Sequence, residues 1–309
     1  MLVSIVIPTY NREATIVAAV ESALAQTHRN LEVIVVDDGS VDSTLEVLAA
    51  YENRISIIRQ ANAGPSAARN RGVNASRGEV IAFLDSDDQW KPTKIERQVA
   101  LMKRGGSGMC CCVCNARVMG ADGALVGDTF DFAGLRFDFA EGEWTNPQEV
   151  LATRFLLFNQ VVAVRREAFD RVGGFNEKLR LLEDYELSLR LSSAGTWGVI
   201  REPLVMKYND TNGIGVECMT DRESHARVRA EVISGILGSQ YDLGSGARSN
   251  LERTLRDLRT ESRAVAMMRA GGPPARLAGM MLEFLLRARR AARRRSPSWP
   301  AFRGKAICV

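Results

Sequence analysis

Two kinds of apolar run alternate along the first 120 residues. Val3–Ile7 is mostly β-branched and is stopped by Pro8, which reads as a short strand buried on both faces. Ile16, Ala19, Val20, Ala23 and Leu24 then recur at helical spacing within Glu13–Gln26. The alternation continues, with strands predicted at Leu31–Val36, Ile55–Ile58, Glu79–Leu84 and Met109–Val118. Between them fall three helices. One is capped by Asp42 or Ser43 and runs to about Tyr51; Pro65 and Pro92 open the others, to about Ser76 and Lys103.

Strand–helix–strand repetition implies an α/β fold, a Rossmann-like and mostly parallel sheet with helices on both faces. Residues 120–146, rich in Gly and Asp with scattered Phe, read as a loop excursion. Pattern returns with the strand Val161–Val164, a helix from Arg166, the turn Gly173-Gly174, a helix over Leu182–Ser193 and the segment Trp197–Pro203. After that the strands stop, and 220–238, 248–270 and 275–295 read as helices separated by Gly-rich breaks. The expected organisation is a sheet domain over 1–215, halved near 118, and a helical C-terminal extension over 216–309.

In open sheets of this kind, ligands bind beyond the carboxyl ends of the strands. Pro8-Thr9-Tyr10, Asp37-Asp38 and Asp85-Ser86-Asp87 each follow a predicted strand end directly. Three polar clusters thus share one edge.

Composition narrows the chemistry. Two histidines, His28 and His225, exclude a His-rich zinc cluster, an HExxH pair or a His relay with several partners. Four of the six cysteines crowd into Cys110–Cys114, too close for a framework of cross-links. They read as buried small hydrophobes in a reducing compartment. Net charge is +4, but residues 273–309 hold eight Arg and one Lys against one Glu. The rest of the chain is therefore net acidic, and nucleic acid is not an expected partner. No run approaches the ~20 apolar residues of a membrane span, and no cationic leader precedes the first apolar run, so a cytoplasmic location is expected.

Asp37-Asp38-Gly39-Ser40 alone would be an ordinary capped turn, and Asp85-Ser86-Asp87-Asp88 alone a solvated loop. Five carboxylates on one sheet edge repel each other, and a divalent cation relieves that repulsion. Oxygen-only ligation suits Mg2+ or Mn2+, usually shared with substrate phosphates.

The residues at these places resemble a family closely. VSIVIPTYNR at Val3–Arg12, LEVIVVDDGSVDST at Leu31–Thr44 and NAGPSAARNRGVNASRGEVIAFLDSDDQW at Asn62–Trp90 are similar to the inverting family 2 glycosyltransferases of the GT-A fold. GGFNEKLRLLEDYELSLRL at Gly173–Leu191 resembles that family's later acidic motif. The likeness covers about residues 1–210 and implies a GT-A catalytic domain whose nucleotide-binding half ends near 118. By this resemblance Pro8, Thr9, Tyr10 and Arg12 line a nucleotide site, and Asp38 accepts from a uracil-like base. Arg69 approaches the nucleotide or its phosphates. Asp85-Ser86-Asp87 is the DxD element, with Asp85 near ribose or metal and Asp87 on the Mn2+ or Mg2+ ion. Glu183-Asp184 is the ED element, with Asp184 the preferred general base. The implied reaction moves a sugar from a nucleoside-diphosphate sugar, UDP-linked by expectation, to a hydroxyl on a glycan or lipid-linked acceptor.

One departure stands out. Many relatives carry a His after the ED helix, where this chain reads MKYNDTNG over Met206–Gly213, with Asn209 and Asp210 in that neighbourhood. Two other classes stay open: a sugar-1-phosphate nucleotidyltransferase, which would want a Gly-rich basic loop where Pro8–Arg12 stands, and a sugar-nucleotide binder without turnover. The tail has two readings as well. Leu277, Met280, Met281, Phe284, Leu285 and Ala288 form a helical stripe with Arg largely opposite. It is either core packing with a solvated basic end or, over 275–295, an anchor on an anionic membrane.

Overall fold

In a computed structural model of the chain, residues 1–154, 156, 159–208, 222–270, 272–294 and 304–306 are described. The first half alternates as its pattern predicts: β1 (Val3–Thr9), α1 (Ile16–Leu24), β2 (Leu31–Asp37), α2 (Thr44–Ala49), β3 (Ser56–Arg59), α3 (Pro65–Ala75), β4 (Val80–Phe83), β5 (Gln89–Trp90), α4 (Lys94–Arg104) and β6 (Met109–Met119). Then come β7 (Leu125–Asp128), α5 (Thr129–Phe132), β8 (Glu141–Trp144), α6 (Pro147–Leu151), β9 (Val162–Arg165), α7 (Arg166–Val172), α8 (Glu183–Leu191) and β10 (Thr196–Tyr208). Helices α9 (Arg222–Gly238), α10 (Ser245–Ala270) and α11 (Pro273–Arg294) precede a last strand, β11 (Gly304–Ala306).

The strands lie in the order β11-β8-β10-β6-β9-β4-β1-β2-β3. β3, β2, β1 and β4 pair in parallel, β9 runs antiparallel between β4 and β6, and β10 is again parallel to β6. The carboxyl ends of β1, β2, β4, β6 and β10 therefore share one edge. All seven residues of β1 are buried, as a strand covered on both faces requires. Helix α3 lies directly on it: a Cβ at Gly72 would come within 2.4 Å of Val6 Cγ1, so only a glycine permits this approach. Cys110, Cys111, Cys112 and Cys114 of β6 are unbridged and buried, and burial pushes the Cys114 thiol up to about 11. They pack as small hydrophobes, as expected.

The structure corrects the reading of 120–146 as a loop. It holds β7, α5 and β8, and Trp144 at the end of β8 is fully buried, edge-on to Trp197 at 5.6 Å between ring centres. Four-residue strands show too little alternation to be seen against a Gly- and Asp-rich background. Strand β11 was also unforeseen, and it pairs antiparallel with β8.

By compactness the chain divides into two units, one of residues 1–147, 155–211 and 302–309 and another of 148–154 and 212–301. Within the second, Gln148 donates to Asp242 O at 2.8 Å and Thr254 Oγ1 to Ala152 O at 2.9 Å, tying residues 148–154 to the helices. Helices α10 and α11 meet where Gly279 leaves room for Ala264 O. Leu277, Met280, Met281, Phe284 and Leu285 of α11 are all exposed. No described helix is long and apolar enough to cross a membrane.

Candidate active site

At the shared edge, β1 and β2 are stitched together beyond their ends. Asp38 N donates to Thr9 O at 2.8 Å, and the chain after Tyr10 turns through Asn11 at φ +51°. That turn lets Asn11 N reach Ser40 Oγ at 2.9 Å, while Asn11 Oδ1 accepts from Val41 N at 2.9 Å. Arg12 N then bonds Thr44 Oγ1 at 2.8 Å. Pro8 and Thr9 are buried in the strand, and Tyr10 stands exposed over the edge. Asp38 is buried, and its carboxylate is largely taken. Gln60 Nε2 and Ala63 N donate to Oδ1 at 2.7 and 2.9 Å, and Gly64 N donates to Oδ2 at 2.8 Å. It fixes the start of α3; of about four lone-pair positions one remains for a ligand.

Fixing α3 fixes Arg69, on its second turn. Arg69 is 4% exposed, which rules out an ordinary surface arginine. One guanidinium nitrogen donates to Asp85 Oδ1 at 2.7 Å and the other to Glu183 Oε1 at 3.0 Å, with the Phe175 ring 5.3 Å beneath. Its fork joins the two acidic motifs. The bidentate shape of guanidinium, matched to two carboxylates, is the physical reason.

Asp85, Asp87 and Asp88 follow β4, with carboxylate oxygens within 4.8 Å of one another, and Ser86 is buried between them. Burial alone would raise Asp85, but Arg69, then Lys207 and Arg12, hold it below the ordinary carboxylate range. Asp87 is pushed up by burial and by Asp85, with Arg12 3.8 Å from its Oδ2. Asp88 is 0% exposed and is pushed up to about 8, chiefly by burial. Its Oδ2 accepts no hydrogen bond. Asp85, Asp87, Asp88, Glu183 and Asp184 face Arg12, Arg69 and Lys207 here. An all-oxygen donor set of three clustered carboxylates fits Mg2+ or Mn2+.

The ED element opens α8. Leu182, just before it, sits at φ +62°; with Asn11 it is one of two non-glycine residues at positive φ among the described residues, and both border this site. Glu183 is held by Arg69. Asp184 is 9% exposed and is pushed up to about 7, first by burial and then by the Glu183 charge. Tyr185 N donates to its Oδ1 at 2.7 Å. The preceding turn is tied to the same place. Asn70 bonds both backbone groups of Phe175, and Arg190 donates to Val172 O and Gly174 O at 2.6 and 2.7 Å.

Three participants have no local signal in the sequence. Gln160 donates to Asp85 Oδ2, and Asn159, with its carbonyl turned to Arg69, lies 3.2 and 3.3 Å from both guanidinium nitrogens. Their turn is held by Trp90 Nε1 on Gln160 O and by Gln98 on Val161 O. Lys207, from β10, lies 3.6 Å from Asp88 Oδ2. Asn209 and Asp210 lie outside the described residues. His225 is half-buried on α9.

Residues 4–170 match the family described as Glycosyl transferase family 2, and the chain belongs to that family. A Haemophilus influenzae protein named an uncharacterized glycosyltransferase is 32% identical over 196 residues, 62% of each chain. Chondroitin synthase of Escherichia coli is 31% identical over 78% of this chain and 34% of its own length. The E. coli UDP-Glc:alpha-D-GlcNAc-diphosphoundecaprenol beta-1,3-glucosyltransferase WfaP is 45% identical over 33% of this chain and 41% of its own length. The chain thus spans less than two thirds of these relatives. Among solved structures, S. aureus TarS 1-349 in complex with UDP-GlcNAc superposes with TM-score 0.65 at 20% identity, covering 86% of this chain and 76% of that one. The Pyrobaculum calidifontis mannosyltransferase PcManGT, with GDP-Man and Mn2+, gives 0.58 at 18%, covering 96% and 81%. The fold is that of the GT-A glycosyltransferases.

Proposed function

We propose that the chain is a metal-dependent inverting glycosyltransferase, transferring a sugar from a nucleoside-diphosphate donor, UDP-linked in our reading, to an acceptor hydroxyl. The carrying observation is Arg69, which joins Asp85 of the donor-side acids to Glu183 of the acceptor-side acids. Pro8, Thr9, Tyr10 and Arg12 line the nucleotide subsite, and Asp38 offers its remaining lone pair to the base. Asp85 and Asp87 would hold Mn2+ or Mg2+, which supplies Lewis-acid neutralisation of charge on the departing diphosphate. Asp184 takes the proton of the acceptor hydroxyl. A carboxylate raised to about 7 is a stronger acceptor than an ordinary one and is still largely ionised just above neutrality. Glu183, pinned by Arg69, holds α8 so that Asp184 faces the donor. Attack from the face opposite the diphosphate turns an α-linked donor into a β-linked product.

For the acceptor, the diphosphoundecaprenol-linked sugar on which WfaP acts supports a lipid-linked glycan. Helix α11 fits that setting. Its stripe from Leu277 to Leu285 is 50–71% exposed and is flanked by exposed Arg276 and Arg287, a pairing that suits an anionic bilayer surface.

The test is incubation with UDP-sugars and Mn2+, following UDP release and the anomeric proton of the product by NMR. UDP release with a β-configured product is expected. Release of pyrophosphate would indicate a nucleotidyltransferase, and tight UDP-sugar binding without release would indicate a binder.

A further inference from the structure

Lys207 lies in the segment after the acidic helix, Met206–Gly213, where the sequence departs from its family. It sits near the end of β10, on the sheet edge where β4 delivers the acids. The neighbouring Tyr208 N donates to Asp88 Oδ1 at 3.0 Å, which ties the strand end to the acidic turn. The Lys207 ammonium lies 3.6 Å from Asp88 Oδ2. Asp88 is sealed off at 0% exposure, whereas the Lys207 side chain keeps 23%. Lys207 is thus the less buried member of the pair. The three cations divide their work. Arg69 is paired with Asp85 and Glu183, Arg12 stands beside Asp87, and Lys207 is paired with the buried Asp88 while also feeling the charges of Asp85 and Asp87.

We propose that Lys207 is a diphosphate-binding residue: Asp88 anchors its ammonium, and its remaining N–H donors take a phosphate oxygen of the donor, leaving Asp85 and Asp87 to the divalent cation. An ammonium has three donors, so one can go to Asp88 while two point outward. As a compact charge on a flexible stem, it suits phosphate without demanding a fixed approach angle. The site then has a fixed positive charge of its own, and part of its diphosphate affinity is independent of metal. This assignment rests on the donor reading above.

The experiment is calorimetric titration of UDP and GDP into the full chain, in Mn2+ and in EDTA, with Mn2+ affinity measured separately. Wild type should bind one of the two nucleotides in EDTA, more weakly than with Mn2+. Lys207→Met should lower that affinity about 10- to 100-fold in both buffers, the usual effect of losing a hydrogen bond to a charged group. Its Mn2+ affinity should stay equal or tighten, because a neighbouring positive charge is gone. Lys207→Arg should recover most of the binding. Because Lys207→Met strands Asp88 without its partner, the double variant Lys207→Met/Asp88→Asn supplies a neutral pair, and it should fold normally yet bind the nucleotide as poorly as the single variant. Unchanged nucleotide affinity in Lys207→Met, or full recovery in the double variant, would overturn the assignment and leave Lys207 a structural partner of Asp88. Failure of wild type to bind either nucleotide in any buffer would instead overturn the donor reading beneath it.

Discussion

Asp184 carries two opposed demands. Burial and Glu183 raise its carboxyl from 3.8 to about 7, which strengthens it as a base but makes its charge costly to the fold. The folded chain keeps a proton there that the unfolded chain releases, so between those values rising pH removes stability. Three outcomes follow. The rate, kcat/KM, should fall on the acid side of about pH 7 as the base protonates, read from a pH profile at saturating Mn2+; a flat profile down to pH 5 would remove Asp184 from that role. Asp184→Asn should lose transfer by ~10²-fold or more with donor affinity kept. The same variant should melt at a higher temperature than wild type at pH 8, the gap closing toward pH 4, which differential scanning fluorimetry would show. Asp87→Asn, by contrast, should abolish Mn2+-dependent nucleotide binding, measured by titration. The strand-end acids were legible because each follows an apolar run directly. Lys207, Asn159 and Gln160 were not, since chain topology, with no local pattern to announce it, brings them to Asp85 and Asp88.

Among elements, helix α8 is aimed by what precedes it. Gly174 sits at φ +69°, and a Cβ there would lie 2.9 Å from Asn70 Oδ1, the atom that receives Phe175 N. Gly174→Ala should therefore strain the backbone and loosen the Asn70 anchor together, lowering stability by ~1–3 kcal/mol in urea titration. Activity should drop further than stability implies, because Phe175 underlies Arg69. If the variant were fully active, the turn would be merely a connection. The long parallel elements could be read from periodicity, since their apolar runs are interrupted by proline and acid at the right distances. The short strands β7, β8 and β11 could not: three or four residues hold barely one period, and β8 and β11 are placed by pairing with partners distant in sequence, β7 by a hairpin on β6.

At the scale of the whole molecule, the basic tail is more than an appendage, because its last strand belongs to the sheet. Deleting residues 273–309 would strip that strand, so surface substitutions are the cleaner probe of α11. Met281→Glu with Phe284→Glu should abolish flotation with anionic vesicles while release of UDP from soluble donor persists. Wild-type binding should weaken as salt rises, given a screening length of ~8 Å at physiological ionic strength. Equal binding to neutral vesicles would reject the electrostatic part, and a shift from dimer to monomer in the double variant would identify a second copy as the occupant. The Arg69 clasp, finally, has a consequence for how such a molecule can change over generations. Asp85 and Glu183 stand 98 positions apart in the sequence yet draw on one guanidinium. A substitution at either leaves the same buried cation half-matched, so the second loss adds less harm than the first, and a double-mutant cycle between them should depart from additivity by ~0.5–3 kcal/mol. The two motifs are one heritable unit: a lineage that alters the chemistry at one end must renegotiate the other in the same few steps, and chimeras that swap only one of them should be poor enzymes.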